Sequence, residues 1–98
     1  MTVYALAHVT PTDPETFKRY QEAAATALAK HGGSVAVKAP NPQLLEGSLP
    51  QPAAMVLLAF PDAEAVRAWH GDPALKEIHA LRTGGADTTI YLMDPAGG

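Results

Sequence analysis

The chain has 98 residues and a mass of 10.2 kDa, with 47% hydrophobic and 17% charged residues, seven basic against ten acidic side chains and a formal net charge of −3. Folding takes about 14,800 Å² of extended-chain surface down to roughly 5,300 Å², which supports one small domain over residues 1–98, with an ordered core of about 2–94, and excludes a two-domain enzyme. No Lys/Arg stripe offers a nucleic-acid surface, the absence of cysteine removes disulfides, thiol nucleophiles and Cys-ligated zinc, and no apolar run reaches the roughly 20 residues of a bilayer span.

Val3 to Val9 alternates as a strand, with Val3, Ala5, Ala7 and Val9 on one face and Tyr4, Leu6 and His8 on the other. Asp13-Pro14-Glu15 then opens a helix: the aspartate caps free N–H groups, proline suits the first turn, and glutamate faces the positive end of the dipole. At about 100° per residue, Phe17, Tyr20, Ala24, Ala27, Leu28 and His31 share one arc, with Lys18, Arg19, Glu22 and Lys30 outside it. Gly32 is a left-handed stop, and His31 before it is read as a cap for the last carbonyls. Ser34 to Lys38 forms a second strand, the Pro40–Pro42 stretch a bend, and Gln43 to Glu46 is expected to resume pairing before the loop 47–52. Ala53 to Phe60 is a strand apolar on both faces. A helix follows from Pro61-Asp62 with Ala65, Val66 and Trp69 inward. Gly71-Asp72-Pro73 interrupts it and recaps a further helix, with Ala74, Leu75, Ile78 and Leu81 inward. Asp87 to Met93 is the last strand.

The order β-α-β-β-α-β is the split βαβ, ferredoxin-like arrangement, an α+β fold with a four-stranded antiparallel sheet. Two helices cover one face of such a sheet. A strand apolar on both faces needs cover on both, and no element remains to supply the second. The expected cover is a second copy, sheet against sheet, in a C2 homodimer.

Tyr4, Thr12-Asp13-Pro14-Glu15, Tyr20, His31-Gly32-Gly33, Leu45-Glu46-Gly47, Phe60-Pro61, Ala68-Trp69 and Leu81-Arg82, in that order and spacing, resemble the bacterial domain-of-unknown-function 1330 family within the dimeric α+β barrel superfamily. The resemblance spans nearly the whole chain. It implies a homodimeric barrel with a ligand cavity between sheet and helices in each protomer. It also implies kinship with cofactor-free monooxygenases, muconolactone-type isomerases, polyketide cyclases and dehydratases. The chain departs from the family pattern at Ala53 or Ala54 (usually Arg), Ala59 (usually Glu), His70 (usually aromatic), Leu75 (usually Tyr) and near Asp94 (usually Gly).

Arg82 is the most informative residue. It projects about 40° from Ile78 and about 20° from Leu75, inside the apolar arc of its helix. A buried guanidinium needs a partner: either a ligand carboxylate or enolate, or a structural pair with Glu46. His79, three residues earlier, is placed to do acid–base work beside it, or else to sit at the surface near a helix C-terminus. His70 is a pocket acid or base, or a polar cover for the Gly71 turn. His8 and Tyr4 enter either the cavity or the sheet-to-sheet interior. Trp69 and Tyr20 are core anchors or apolar walls for a substrate ring. No two histidines have the spacing of a chelating helical pair, and phosphate-cradling glycine motifs are absent, so no metal or cofactor is expected. The N-terminal segment lacks the basic region of a secretory signal, so a cytoplasmic protein is expected, without membrane or nucleic-acid partners.

Two functions follow. One is a small cofactor-free enzyme in which Arg82 steadies an oxyanion while a histidine (His79, then His70 or His8) moves a proton. It would act as isomerase, cyclase, lyase or cofactor-independent oxygenase on an aromatic, lactone or polyketide-like substrate. The other is a non-catalytic homodimeric module that binds a metabolite or assembles. The discriminating feature is whether Arg82 meets a histidine at a cavity or is neutralised by Glu46.

Overall fold

Residues 1–97 are described by a computed structural model of the chain. Four strands, β1 (Val3–Pro11), β2 (Ser34–Pro40), β3 (Ala54–Phe60) and β4 (Ala86–Met93), form one antiparallel sheet in the order β2-β3-β1-β4. The helices α1 (Pro14–Ala29), α2 (Ala63–Gly71) and α3 (Lys76–Gly85) lie across one side, with a 3-10 turn at Pro73–Leu75 between the last two. The βαββαβ order is therefore as the sequence predicts, and the fold is ferredoxin-like.

Local chemistry sets the helix ends. Asp13 accepts from the Thr16 amide at 3.3 Å and from its hydroxyl at 2.9 Å, while Asp62 accepts from the Ala65 amide at 2.7 Å. Gly32 takes φ +73°, and the Gly33 amide closes on the Leu28 carbonyl at 2.8 Å, as in a glycine-terminated helix. The last carbonyls of α1 are thus met by backbone amides. The His31 ring, expected to cap them, instead places Nε2 2.7 Å from an Asp72 carboxylate oxygen that Lys30 also reaches at 2.7 Å. Lys30 first, then His31, holds the Asp72 carboxyl well below the usual carboxylate range.

Two further expectations are corrected. Segment 41–53 makes no strand: the Asn41 amide and Ala53 carbonyl close it at 2.8 Å, Gln51 donates to the Pro42 carbonyl, and Leu44, Leu45 and Leu49 stay exposed. Pro42 before the Gln43–Glu46 stretch and Pro50 and Pro52 after it carry no N–H, so a ladder there has few donors at its ends. Ala74 is exposed, because a 3-10 turn places it off the arc that an α-helix would give it.

The core lies between sheet and helices: Val3, Ala5, Leu58 and Phe60 from strands meet Ala27, Leu28, Val66, Trp69 and Leu75. Trp69 and Phe60 are each 1% exposed with ring centres 5.5 Å apart, contributing roughly 1.5–3 kcal/mol apiece by burial. The opposite face carries Tyr4, Leu6, Val37, Met55, Leu57, Tyr91 and Met93, with no helix over it. Tyr91 is 55% and Val37 53% exposed. The chain exposes 6302 Å², close to 1,000 Å² more than the roughly 5,300 Å² expected of a monomer of its mass.

Candidate functional site

Helix α1 packs tightly only at its C-terminal end. Ala27 and Leu28 are buried, whereas Phe17, Tyr20 and Ala24 on the same arc are half-buried. Small side chains explain the gap: Ala24 and Ala25 on the helix oppose Ala7, Ala53 and Ala54 across the space, so neither wall fills it. The result is a partly open, mostly apolar cavity of about 390 Å³, within the range of small-molecule sites, lined further by Phe17, Tyr20, Leu28 and Val56 and by the polar Gln21 and Lys38.

Arg82 lies at its end. Helix α3 is brought there by Gly85, whose carbonyl accepts from the Thr12 and Asp13 amides at 2.9 and 3.1 Å. A Cβ on Gly85 would stand 2.6 Å from the Phe17 amide nitrogen, so glycine is what permits the approach of α3 to the start of α1. One turn back from it, Arg82 is 8% exposed, its guanidinium 5.2 Å from the Trp69 ring centre and 5.7 Å from that of Tyr20. These two cation–π contacts favour the charge in place. Its polar contacts are long and both leave from Nη1: to the Tyr20 hydroxyl at 3.5 Å and to His79 Nδ1 at 3.4 Å. Among the described residues no carboxylate pairs with it. Glu46 is exposed on segment 41–53, so the structural pair considered from the sequence is not formed.

The hydrogen bonds assign the His79 tautomer. Nε2 is 2.8 Å from the Trp69 carbonyl oxygen, which can only accept, so Nε2 carries the proton. Nδ1 is then bare and accepts from Arg82. Protonating it would set two cations face to face. Burial first, then the Arg82 and His70 charges, lowers the His79 pKa below its ordinary value, against the opposing Trp69 carbonyl bond. With the proton on Nε2, His79 turns a bare Nδ1 toward the Arg82 guanidinium.

The remaining candidates divide between two faces. His70 is exposed, stacks on His79 at 6.2 Å between ring centres, and shares with Arg82, Thr12, Asp87 and Thr88 a second, more polar cavity of about 480 Å³. Trp69 is core and floors the guanidinium, and Tyr20 walls the apolar cavity. His8 and Tyr4 lie on the helix-free face, where His8 meets Tyr91 edge-on at 5.9 Å. The sheet therefore separates both from Arg82.

One residue escaped the sequence reading. Thr88 lines both cavities beside Arg82, and its hydroxyl is buried with no hydrogen-bond partner among the described residues. Such a group costs about 1–3 kcal/mol unless something meets it. Its signal was available: Ala86, Ile90 and Leu92 make this the apolar face of β4, and Thr88 is the polar exception within it.

The chain belongs to the DUF1330 family, a domain of unknown function, whose model matches residues 2–96. No curated protein matches it. Among solved structures it is similar to a protein of unknown function from Rhodopseudomonas palustris, with TM-score 0.79 and 16% identity, covering 96% of this chain and 82% of that one. It is also similar to SnoaB, a cofactor-independent oxygenase from Streptomyces nogalater, with TM-score 0.67 and 15% identity over 94% and 90% of the two chains. A dimeric ferredoxin-like protein of unknown function from Jannaschia sp. CCS1 gives TM-score 0.64 and 16% identity over 96% and 99%. At these identities the likeness is one of fold.

Proposed function

We propose that this DUF1330 protein is a homodimeric, cofactor-free enzyme that moves a proton on a small organic substrate held between α1 and the sheet. The observation that carries this reading is Arg82: a guanidinium 8% exposed, unneutralised by any carboxylate among the described residues, at the end of an apolar cavity. Leaving a buried cation unpaired is costly, so the arrangement suits a ligand oxygen on which negative charge rests or develops. His79 steers the guanidinium without competing for protons. His70, which shares the outer cavity with Arg82, is the proton carrier, since imidazole suits transfer near neutral pH. Removing a proton beside a carbonyl gives an enolate whose oxygen Arg82 holds. Returning the proton elsewhere isomerises the substrate, attack on a second carbonyl cyclises it, and loss of a leaving group eliminates. Reaction of the carbanion with molecular oxygen is the course for which SnoaB's named activity offers a parallel on this fold.

Dimerisation is supported by the helix-free apolar face, by an excess surface close to the roughly 800 Å² per partner of a standard interface, and by the dimeric Jannaschia neighbour. The test of function is deuterium exchange in heavy water, followed by NMR, on a panel of aryl ketones, lactones and 1,3-dicarbonyls. The protein should accelerate exchange of at least one carbon acid, and His70→Asn should slow it while leaving binding intact. A panel that binds without exchanging would favour the non-catalytic, metabolite-binding module instead.

A further inference from the structure

We infer that the ligand of this site is an amphiphilic monocarboxylate, its carboxylate forked onto Arg82 and the Thr88 hydroxyl and its apolar body in the chamber under α1. The inference deepens the reading above, on which it rests for the site but not for the chemistry. Three observations meet at one place. The guanidinium uses only Nη1 within the protein, toward Tyr20 and His79, so the Nε–Nη2 edge has no acceptor among the described residues. That edge carries two parallel N–H groups, the geometry that matches the two oxygens of a planar carboxylate. Thr88 lines the same two cavities, and its buried hydroxyl, without a partner among the described residues, is a further donor for a ligand that reaches it.

The two cavities differ in character, and Arg82 and Thr88 are the residues common to both. One is walled mostly by apolar side chains, among them Phe17, Ala24, Leu28 and Val56, with Gln21 and Lys38 also on its lining, and takes an aryl or alkyl body. The other is walled by Thr12, His70, Thr83 and Asp87, and takes polar or hydrated groups. The Asp87 carboxylate on the outer side disfavours a second negative charge there, which argues for one carboxylate and against a diacid. Tyr20 and Trp69 flank the guanidinium with ring faces, leaving the anion its edge. Where the reacting carbon is conjugated to that carboxylate, charge released by proton removal flows onto oxygens Arg82 already holds.

The test is titration calorimetry of the intact protein with benzoate, cinnamate, 2-naphthoate and octanoate, each against its own primary amide. At least one acid should bind ten times or more tightly than its amide. Arg82→Gln should erase that preference while the amide's affinity changes little, and Thr88→Val should reduce it severalfold. Because Arg82→Gln could disturb folding, two further measurements stand beside it. In the wild-type protein the acid should shift the Arg82 Nε–Hε NMR resonance and the amide should not. Ala24→Phe, which fills the chamber and leaves Arg82 untouched, should abolish binding of the acids. Equal affinity for acid and amide, an acid preference that survives Arg82→Gln, or no binding by any of the four acids would overturn the inference. Acid-selective binding with no proton exchange in any substrate would leave it standing and remove the enzymatic reading. Exchange in neutral ketones with no acid selectivity would do the reverse.

Discussion

Arg82→Met separates a ligand-seeking guanidinium from a structural one, because the two make opposite demands on stability. Methionine keeps the length and the packing of the stem and removes the charge. Replacing a buried ionic group by an apolar one of similar volume is commonly neutral or stabilising by about 1–4 kcal/mol. Against that gain stand two cation–π contacts, to Trp69 at 5.2 Å and Tyr20 at 5.7 Å, worth about 0.5–1 kcal/mol each. The expected net change runs from a loss of about 1 kcal/mol to a gain of about 3 kcal/mol. Breaking a satisfied buried pair would instead lose about 3–5 kcal/mol. For a domain of this size, a loss of 3 kcal/mol lowers the melting temperature by about 12 °C or more. Urea unfolding followed through Trp69, the one tryptophan, reads the change directly, at matched protein concentration so that any dimer contributes equally. A variant within about 1 kcal/mol of the wild type or more stable, and that no longer binds carboxylates, fits the reasoning. A variant that loses 3 kcal/mol or more refutes it, since some protein group must then have been satisfying the charge.

Neighbouring glycines should respond in opposite directions. Gly84→Ala meets nothing within 4 Å and should add about 0.5 kcal/mol in a helix, whereas Gly85→Ala drives a Cβ to 2.6 Å from the Phe17 backbone and should cost about 1–3 kcal/mol. Equal effects in denaturant melts would undo the account of how α3 docks. Sedimentation equilibrium at micromolar concentration should find a dimer that Tyr91→Glu converts to monomer, because the substitution puts a charge in the middle of the uncovered face; a monomeric wild type removes the assembly. Acidification tests His79. Its folded pKa lies below the ordinary 6.5, so as pH falls through 6.5 the unfolded chain takes up the proton first and stability declines. The decline ends once the folded value is passed. His79→Gln keeps a donor for the Trp69 carbonyl and should remove that part of the slope; an unchanged profile between wild type and variant would contradict the assignment. Asp72, depressed by Lys30 and His31, contributes separately, with stability present above 3.8 and lost as pH falls below it.

What the sequence determined by itself is what depends on neighbours along the chain. Aspartates at 13 and 62 cap because a side-chain oxygen three residues before a free amide is within reach whatever the tertiary context. The period-two alternation of β1 put Val3, Ala5, Ala7 and Val9 together on one face, and the helical period put Arg82 inside the apolar arc of α3. Counting apolar faces against helices also identified the uncovered sheet surface, since that inventory needs no coordinates.

Tertiary structure decided the relations between residues far apart in sequence. His31 and Asp72, 41 residues apart, pair because the end of α1 and the break after α2 arrive at one place, and no periodicity encodes that meeting. Arg82 could have met Glu46, but the proline-rich segment carrying Glu46 stays outside, and the guanidinium was left to Trp69, Tyr20 and His79. The apolar chamber exists because alanines on α1 happen to face alanines on β1 and β3. Each is an ordinary small residue alone, and only their opposition across the space leaves volume unfilled. The His79 tautomer was settled by a carbonyl ten residues earlier in the chain, and the unmet Thr88 hydroxyl by packing that brings no partner within hydrogen-bond reach among the described residues. Local energetics can be read along a chain, whereas the partner of a buried charge is settled by packing across it.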